Sequence, residues 1–430
     1  MSDDLLERLP EAERALLLGC GELAAARREH AFLVGGSVRD LLLGRAQSDL
    51  DVVVVGDGMA VAQALARDRG GTLTRHHAFQ TARIDVPGGT RVDVATARRE
   101  VYPRPGQLPQ VVPGSLEEDL GRRDFTINAM AISLAPDDAG RFVDPEGGAA
   151  DLEAGRIQVM HRLSFSDDPT RILRALRFAL RFGYTIEPQS LEWLRVATGG
   201  GYLDSVSGER VRKELSLTFE ENPIEGPLRL QDEGVLAMYD GLAADPDQLR
   251  RLTSLRSWHL EVLAGRGLSP ATDPAWPAVL ACCAAALSPQ ARWGLARRLS
   301  LSRDERAPLI EAGAPWRRAV ATLEDAGEEA PSSAIVAALE GISPAALLVA
   351  AASAGEGSAA ESWITRYLET LQWIRPRLTG DDLLRLGVEE GPALGVLLAQ
   401  LRAAVVDGRV EGEQEERRLV KRILGGKPHG

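Results

Sequence analysis

The sequence predicts an α+β protein in which a mixed sheet with helices comes first and an all-helical part follows. Short apolar and β-branched runs alternate with helical patterns over about the first 150 residues, as expected for strands and helices that share one core. Beyond Asp151 the strand-like runs stop, and apolar residues recur at helical spacing. The chain has 430 residues, which is enough for two to four packed units.

The mixed part is predicted to begin with a helix and to continue with strands and helices in alternation. Its turns are rich in glycine and proline, and Pro87-Gly88-Gly89-Thr90 has the composition of a hairpin turn. Four prolines in residues 102–114 predict a loop there. The predicted helices are 1–30, 37–43 and 61–67, and the predicted strands are 32–34, 50–55, 73–75, 82–86 and 91–95.

The second part shows apolar residues at three- and four-residue spacing, which is typical of amphipathic helices. Acidic stretches with glycine and proline, such as residues 324–331, separate these helical patterns. The predicted helices are 168–182, 209–220, 274–287, 333–339, 358–373 and 392–406.

Composition excludes several classes of protein. No apolar run approaches the roughly 18 residues that a membrane helix needs, and the N-terminus has neither the basic start nor the cleavage site of a signal peptide. Cys20, Cys282 and Cys283 are too few for a disulfide framework and do not have metal-ligand spacing. We therefore expect a soluble, cytoplasmic protein with no membrane partner.

The net charge of −12 argues against a nucleic-acid partner only if the basic residues are spread evenly. Of the 50 basic residues just three are lysine, and a GC-rich genome would explain that excess of arginine. The net charge therefore does not exclude RNA or a nucleotide as a ligand, provided that arginines are concentrated at one place.

Asp49 and Asp51 begin an otherwise apolar predicted strand. Residues two apart on a strand point to the same face, so the two carboxylates project together. Burying them side by side is costly unless a cation compensates, and hard divalent ions, Mg²⁺ above all, bind such oxygens together with substrate phosphates. The alternative interpretation is an acidic pair that faces solvent at the start of a strand.

A glycine pair lies just upstream, between the first strand and the next helix. Gly35 and Gly36, followed by Ser37, present backbone N–H groups at a helix N-terminus, where anions bind, and Arg39 is close enough to reach the same phosphate. An ordinary tight turn with a serine N-cap is the alternative. A phosphate site next to a two-carboxylate metal site would supply what nucleotidyl transfer requires.

A third segment contains Arg123, Asp124 and Asn128, with the last two at helical spacing. Arg123 would contact a triphosphate or hold Asp124, and Asn128 would bond a sugar hydroxyl. The alternative is the start of a helix that acidic residues stabilise near its positive end.

A fourth segment is a predicted helix that begins after Asp168 and Pro169. At 100° per residue its four arginines fall within about 120° of one face, opposite its apolar side. Arginine binds base edges and phosphates bidentately, whereas the alternative is a solvated charged face. The four arginines are Arg171, Arg174, Arg177 and Arg181.

Together the four segments resemble the class II tRNA nucleotidyltransferase and bacterial poly(A) polymerase family, within the polymerase-β-like nucleotidyltransferase superfamily. The resemblance rests on LVGGSVRDLLLG (33–44), SDLDVVVVG (48–56), EEDLGRRDFTINAMAI (117–132) and DDPTRILRALRFALRFGYTIE (167–187). It implies a polymerase-β-like nucleotidyltransferase head (mixed sheet with helices) over 1–148 and an all-helical remainder. That remainder would comprise a base-recognising neck over 149–218, a body over 219–330 and a tRNA-binding tail over 331–430.

The resemblance also implies an activity, namely addition of all or part of the 3′-terminal CCA to tRNA from CTP and ATP. By motif position, Asp49 and Asp51 would be catalytic and would bind Mg²⁺, and Asp93 is a candidate third carboxylate. Asp168 and Arg171 would read the Watson–Crick edge of the base. The nucleotide-binding residues implied by the resemblance are Gly36, Arg39, Arg123, Asp168, Arg171, Arg174 and Arg177.

Several alternatives stay open at this point. Within the family they are CC addition only, A addition only and poly(A) synthesis. The match of residues 102–114 to the element that the family uses in switching from C to A addition favours an enzyme that adds the terminal A. The chain has no His-Asp dipeptide, so the phosphohydrolase domain of some relatives is not expected. A non-catalytic RNA-binding protein is the alternative of another class, and intact Asp49, Asp51 and Arg171 argue against it.

Overall fold

The computed structural model describes residues 5–46, 49–76, 80–102, 106, 109–239, 241–268, 274–327 and 330–425. The chain divides into two compact units, Met1–Glu214 and Leu215–Gly430. The first unit holds a mixed sheet with helices and the second consists of helices, so the α+β fold class is confirmed. The finer division into four domains stays a prediction.

In the part of the chain that the structure describes, the first unit contains the five strands that the apolar pattern predicts and six short ones that it does not. Two of these, β10 and β11, lie beyond Asp151, so the expectation that strands stop there is wrong; each is only two residues long, too short to show a period. Its strands are β1 His30–Val34, β2 Leu50–Val55, β3 Thr72–His76, β4 Thr81–Asp85, β5 Arg91–Thr96, β6 Arg98–Val101, β7 Gln110–Pro113, β8 Ala131–Ser133, β9 Phe142–Val143, β10 Arg156–Ile157 and β11 Thr185–Ile186. Its helices are α1 Glu11–Ala25, α2 Gly36–Leu42, α3 Gly58–Arg69, α4 Leu116–Gly121, α5 Gly148–Glu153, α6 Ser164–Asp167, α7 Thr170–Phe182, α8 Pro188–Gly199 and α9 Gly208–Glu221, which crosses the boundary.

The main sheet has the strand order β3-β4-β5-β2-β1-β8-β9. Its β2–β5 pair is parallel and places Asp51 next to Asp93, whereas its other pairs are antiparallel. Along β2, Leu50 and Val52 are buried on one face, and Asp51 lies on the other with Val53. Val53 packs in an apolar cluster with residues of β1 and α4. Because of this alternation, the carboxylate of Asp51 lies at the start of β2, and the valines that follow it pack in the apolar core.

Helix α1 approaches the chain after β8 so closely that one position has no room for a side chain. A Cβ on Gly21 would lie 1.8 Å from the carbonyl oxygen of Leu134. We expect Gly21→Ala to lower the free energy of unfolding by roughly 2 kcal/mol, because backbone would have to move. Chemical denaturation measures this change.

Gly19→Ala on the same helix is the matched control. A Cβ there would meet the guanidinium end of Arg69, with Nη2 2.4 Å away, and a long side chain moves more easily than backbone. Equal losses of stability in the two variants would contradict this account of the α1 packing.

The second unit is built from helices joined by short turns. Many of them begin at a serine whose hydroxyl accepts a backbone N–H of the first turn, such as Ser288, Ser302 and Ser358. Its helices are α10 Glu225–Asp232, α11 Pro246–Gly265, α12 Trp276–Cys283, α13 Pro289–Arg298, α14 Arg303–Glu311, α15 Ala314–Asp325, α16 Ser332–Leu339, α17 Pro344–Ala354, α18 Ala359–Glu369, α19 Gly380–Arg385, α20 Pro392–Val406 and α21 Glu413–Gly425. Within the described residues no single helix is long and apolar enough to cross a membrane, although α16 and α17, bent by 113°, meet the length and composition criteria as a pair.

Two local expectations need correction. The predicted helix 1–30 is shorter, because Pro10 precedes α1 and a separate 3₁₀ turn covers Leu5–Arg8. The predicted loop 102–114 contains β7, which pairs with β6 despite Pro113, since proline at the end of an edge strand removes no essential hydrogen bond. Residues 103–105 and 107–108 of that loop lie outside the described part of the chain.

Candidate active site

The Gly-Gly turn and the strand with the two aspartates are joined by one hydroxyl group. Gly35 follows β1 with a φ of +68°, a conformation that favours glycine, and α2 begins at Gly36. The Ser37 hydroxyl donates to the carbonyl oxygen of Asp49 at 3.1 Å and accepts the N–H of Asp51 at 3.0 Å. Ser37 therefore fixes the first turn of α2 against the start of β2.

Removal of this link is expected to cost stability. Ser37→Ala would leave the Asp49 carbonyl and the Asp51 N–H without that partner, at a cost of about 1–3 kcal/mol in the free energy of unfolding. Ser254→Ala, on the exposed side of α11, should change it by less than about 0.5 kcal/mol. Urea titration of the two variants and the parent gives the comparison, and a Ser37→Ala variant as stable as the parent would contradict the assignment.

The carboxylates at this edge differ in their environment. Burial, reinforced by Asp93 and Asp49, raises the pKa of Asp51 to about 6 although Arg123 and Arg39 act in the opposite direction. Asp49 is more exposed and has Arg91 Nη1 at 3.5 Å. Within the described residues no three His, Cys, Asp or Glu side chains form a ready metal site.

Asp93 is held by an arginine from the neighbouring strand. Arg83 of β4 donates from Nε and Nη2 to the two carboxylate oxygens of Asp93, both at 2.8 Å. The β2–β5 register places Asp93 beside Asp51, and its role as a third carboxylate stays a prediction.

A cavity of about 440 Å³ opens beside Asp51 and collects most of the candidate residues in one place. Nine residues were proposed from the sequence as catalytic or nucleotide-binding. Among the residues described, Asp49 and Arg177 are the two of these that do not line the cavity. The lining residues are Gly36, Arg39, Asp51, Glu100, Tyr102, Arg122, Arg123, Asp124, Asn128, Asp168, Arg171, Arg174 and Phe178.

Arg39 is fixed tightly at one side of this cavity. Its Nη1 donates to Asn128 Oδ1 at 2.6 Å, and its Nε and Nη2 donate to the Asp40 carboxylate, both at 2.9 Å. The guanidinium also lies over two stacked rings, 5.4 Å from the centroid of Phe178 and 4.9 Å from that of Phe182. The guanidinium of Arg39 is thus held in a fixed orientation at the wall of the cavity.

In the third segment, Arg123 and Asp124 do not pair with each other, although the sequence had allowed that pairing. Arg123 does not hold Asp124; its Nη2 donates to Asp119 at 2.9 Å, which places the guanidinium beside Gly35. Asp124 instead accepts from Arg174 at 2.7 Å and from Asn128 at 2.9 Å. Burial alone would raise the pKa of Asp124, but Arg174 and Asn128 hold it below its usual value.

The arginines of α7 do not form the solvated cationic face that was one alternative. Arg171 and Arg177 are only 5% and 4% exposed. Arg171 Nη2 donates to the carbonyl oxygen of Arg122 at 2.6 Å, and Arg177 pairs with Glu214 at 3.0 Å. Arg171 and Arg177 are therefore internal parts of the fold, whereas Arg174 is 31% exposed at its side chain and Arg181 is exposed.

Asp168 lies at the start of α7 and faces the cavity with partners of its own. Its Oδ1 accepts from Arg210 Nη2 at 2.7 Å and from the hydroxyl and N–H of Thr170 at 2.7 and 3.0 Å. Arg210, on α9, was not among the sequence candidates. No motif marked it, since its role depends on a contact across 42 positions of the chain.

The sequence also missed a polar group at the cavity wall next to β6. Glu100 accepts from the Tyr102 hydroxyl at 2.6 Å and from Arg122 at 2.9 Å. Arg122 could have been found, because it lies beside Arg123 in the third motif. Glu100 and Tyr102 lie between motifs, and only the fold brings them here.

The fold and the cavity define the class as a nucleotidyltransferase head joined to helices. Residues 31–158 match the family model of the poly A polymerase head domain. A CC-adding tRNA nucleotidyltransferase of Deinococcus radiodurans is 32% identical over an alignment that covers 98% of this chain and 96% of that relative. The chain therefore belongs to the tRNA nucleotidyltransferase family.

Two further proteins extend this comparison. An A-adding tRNA nucleotidyltransferase of Geobacter sulfurreducens is 33% identical over 96% of this chain, but the chain spans only 47% of that relative's length. The solved CCA-adding enzyme of Thermotoga maritima in complex with tRNA is 31% identical, with a TM-score of 0.79 and 98% of each chain covered. The similarity therefore includes both units.

Proposed function

We propose that the protein is a cytoplasmic tRNA nucleotidyltransferase that adds all or part of the 3′-terminal CCA without a nucleic-acid template. The tRNA 3′-hydroxyl attacks the α-phosphorus of CTP or ATP, a new P–O bond forms, and pyrophosphate leaves. The observation that carries the proposal is the single cavity shared by Asp51, the Gly-Gly turn, Asp168 and Arg171. The relatives named for A and CC addition support both nucleotides.

Mg²⁺ fits the acidic edge of the sheet. Asp51 is destabilised as a carboxylate by burial and by Asp49 and Asp93, which is the environment that a divalent cation relieves. Asp49 and Asp51 would hold the ion, with phosphate oxygens and water completing its shell. When bound, the ion lowers the pKa of the attacking hydroxyl and stabilises charge at the α-phosphate.

The Gly-Gly turn and two arginines would hold the triphosphate and ribose. Gly36 starts α2 and lines the cavity, so the N–H groups of this helix N-terminus would serve as donors to an anion. Arg39 and Arg123 are already fixed by Asn128 and Asp119. Because these guanidinium groups are preoriented, little side-chain entropy is lost when the nucleotide binds.

Asp168 and Arg171 would recognise the base. A carboxylate acceptor and a guanidinium donor side by side match the hydrogen-bonding edges of both cytosine and adenine. Arg174 and Arg177 would support this pair, because they tie α7 to Asp124 and Glu214. The helical second unit would bind the acceptor arm of tRNA by shape and by phosphate contacts.

The test is an incorporation assay with purified protein and Mg²⁺. Three tRNA transcripts, lacking CCA or ending after the first or the second C, are each incubated with CTP alone and with ATP alone. We expect C on the first two transcripts and A on the third. Absence of incorporation on all three, with tRNA binding intact, would contradict the proposal.

The same assay separates the alternatives. C addition to the first two transcripts without A addition to the third indicates a CC-adding enzyme, and A addition to the third transcript without any C addition indicates an A-adding enzyme. Products longer than CCA with ATP alone indicate a poly(A) polymerase.

A further inference from the structure

A second cavity shares Asp51 with the first and extends along β5, β4 and β3, whereas the first extends toward α2 and α7. The volume of the second cavity is about 370 Å³, and it covers the face of the sheet formed by β2, β5 and β4. The two cavities share Asp51, Arg122 and Arg123 in their lining. The second one adds polar and charged side chains of its own, namely His76, Thr81, Arg83, Asp93 and Arg98.

We propose that this second cavity receives the 3′-terminal nucleotides of the RNA acceptor strand, and that Arg83 binds a phosphate of that strand. This inference rests on the proposed function. In nucleotidyl transfer the attacking oxygen and the leaving pyrophosphate lie roughly in line on opposite sides of the phosphorus. If the first cavity holds the nucleotide, the attacking hydroxyl reaches Asp51 from the second cavity.

The side chains of the second cavity suit a phosphodiester. Arg83 is 43% exposed at its side chain, so its guanidinium is accessible to a ligand as well as to Asp93. The two bonds to Asp93 use Nε and one hydrogen of Nη2, and a guanidinium has five N–H donors. Since Arg83 lines the cavity, its remaining donors are available to a phosphate there. The Thr81 hydroxyl and His76 are further polar groups of the same wall.

The bond between Arg83 and Asp93 places the proposed phosphate-binding residue next to the aspartates at the start of β2. The register of the sheet puts Asp93 directly beside Asp51 and opposite Arg83. A strand held by Arg83 would therefore end next to the aspartates that are proposed to bind Mg²⁺. The nucleotide-binding residues of the first cavity do not include Arg83, so loss of Arg83 should affect the two substrates differently.

The test compares Arg83→Gln with Arg75→Gln in the full-length protein. Arg75 is an exposed residue of β3 on the face opposite His76. Equilibrium binding of a tRNA transcript without CCA is measured by fluorescence anisotropy at several salt concentrations, and KM values for tRNA and for CTP or ATP are determined. Arg83→Lys shows whether charge alone restores binding.

We expect Arg83→Gln to raise the Kd and the KM for tRNA about tenfold and to lower the slope of log K against log salt by about one. The KM for the nucleotide should stay within about twofold, Arg83→Lys should recover most of the salt slope, and Arg75→Gln should match the parent. Unchanged tRNA affinity and slope in Arg83→Gln, or a rise confined to the nucleotide KM, would overturn the inference. Because anisotropy needs no turnover, a parent protein that binds tRNA without extending it would refute the proposed function and leave this test readable.

Discussion

Asp51→Asn is expected to lower nucleotide incorporation by a factor of about a thousand or more, which is roughly 4 kcal/mol of activation free energy. The amide keeps the shape of the side chain and removes the negative charge that would hold Mg²⁺ at the start of β2. The change is measured as kcat/KM with CTP and with ATP on a tRNA that lacks CCA.

The folded protein should tolerate this substitution. Because burial raises the pKa of Asp51 to about 6, from an ordinary value of 3.8, the ionised form is disfavoured in the folded state and costs stability above that pH. Without divalent ions at pH 8, Asp51→Asn should therefore be at least as stable as the parent.

Asp68→Asn, an exposed residue of α3, serves as the control and should change neither activity nor stability. If Asp51→Asn kept full activity, the metal assignment would be abandoned and the non-catalytic alternative would gain support.

Arg171→Ala and Asp168→Ala are expected to lose most of the preference for CTP and ATP over UTP and GTP. Each good bidentate contact to a base edge contributes about 1–3 kcal/mol of discrimination, so the double variant should lose about a hundredfold or more. The ratio of kcat/KM values for the four nucleotides is the measurement.

Arg171 also donates to the carbonyl oxygens of Arg122 and Ser164, so its loss can disturb the cavity wall as well. Asp168→Asn is the milder companion, because the amide still accepts from Arg210 and Thr170 but presents an altered edge to the base. Arg67→Ala, on the exposed side of α3, is the control. Slower incorporation with unchanged nucleotide preference in both Asp168 variants would contradict the base-reading role.

Local sequence patterns predicted the parts of the site that a few neighbouring residues determine. Strand alternation places Asp51 on the face of β2 opposite Leu50 and Val52, although Asp49 lies just before the strand. The glycine at position 35 suits a turn that has a positive φ. The helix that carries Arg171 was predicted from a proline, a capping aspartate and 3.6-residue periodicity, and it begins within two residues of the expected position.

Pairings between distant segments could not be derived in the same way. Arg83 meets Asp93 only through the β4–β5 register, and Arg210 meets Asp168 only when α9 packs near α7. The choice of Asp119 over Asp124 as the partner of Arg123 depends on α4 ending at Gly121. Helical periodicity placed the arginines of α7 on one face, but it does not say whether that face meets water or Glu214.

The most direct test of the central claim is the intact mass of a tRNA lacking CCA after incubation with the full-length protein, CTP, ATP and Mg²⁺. We predict a gain of one to three nucleotides, consisting of C, A or both, that is absent with Asp51→Asn. A tRNA mass that stays unchanged with the parent protein, while anisotropy shows that the same tRNA is bound, would contradict the claim.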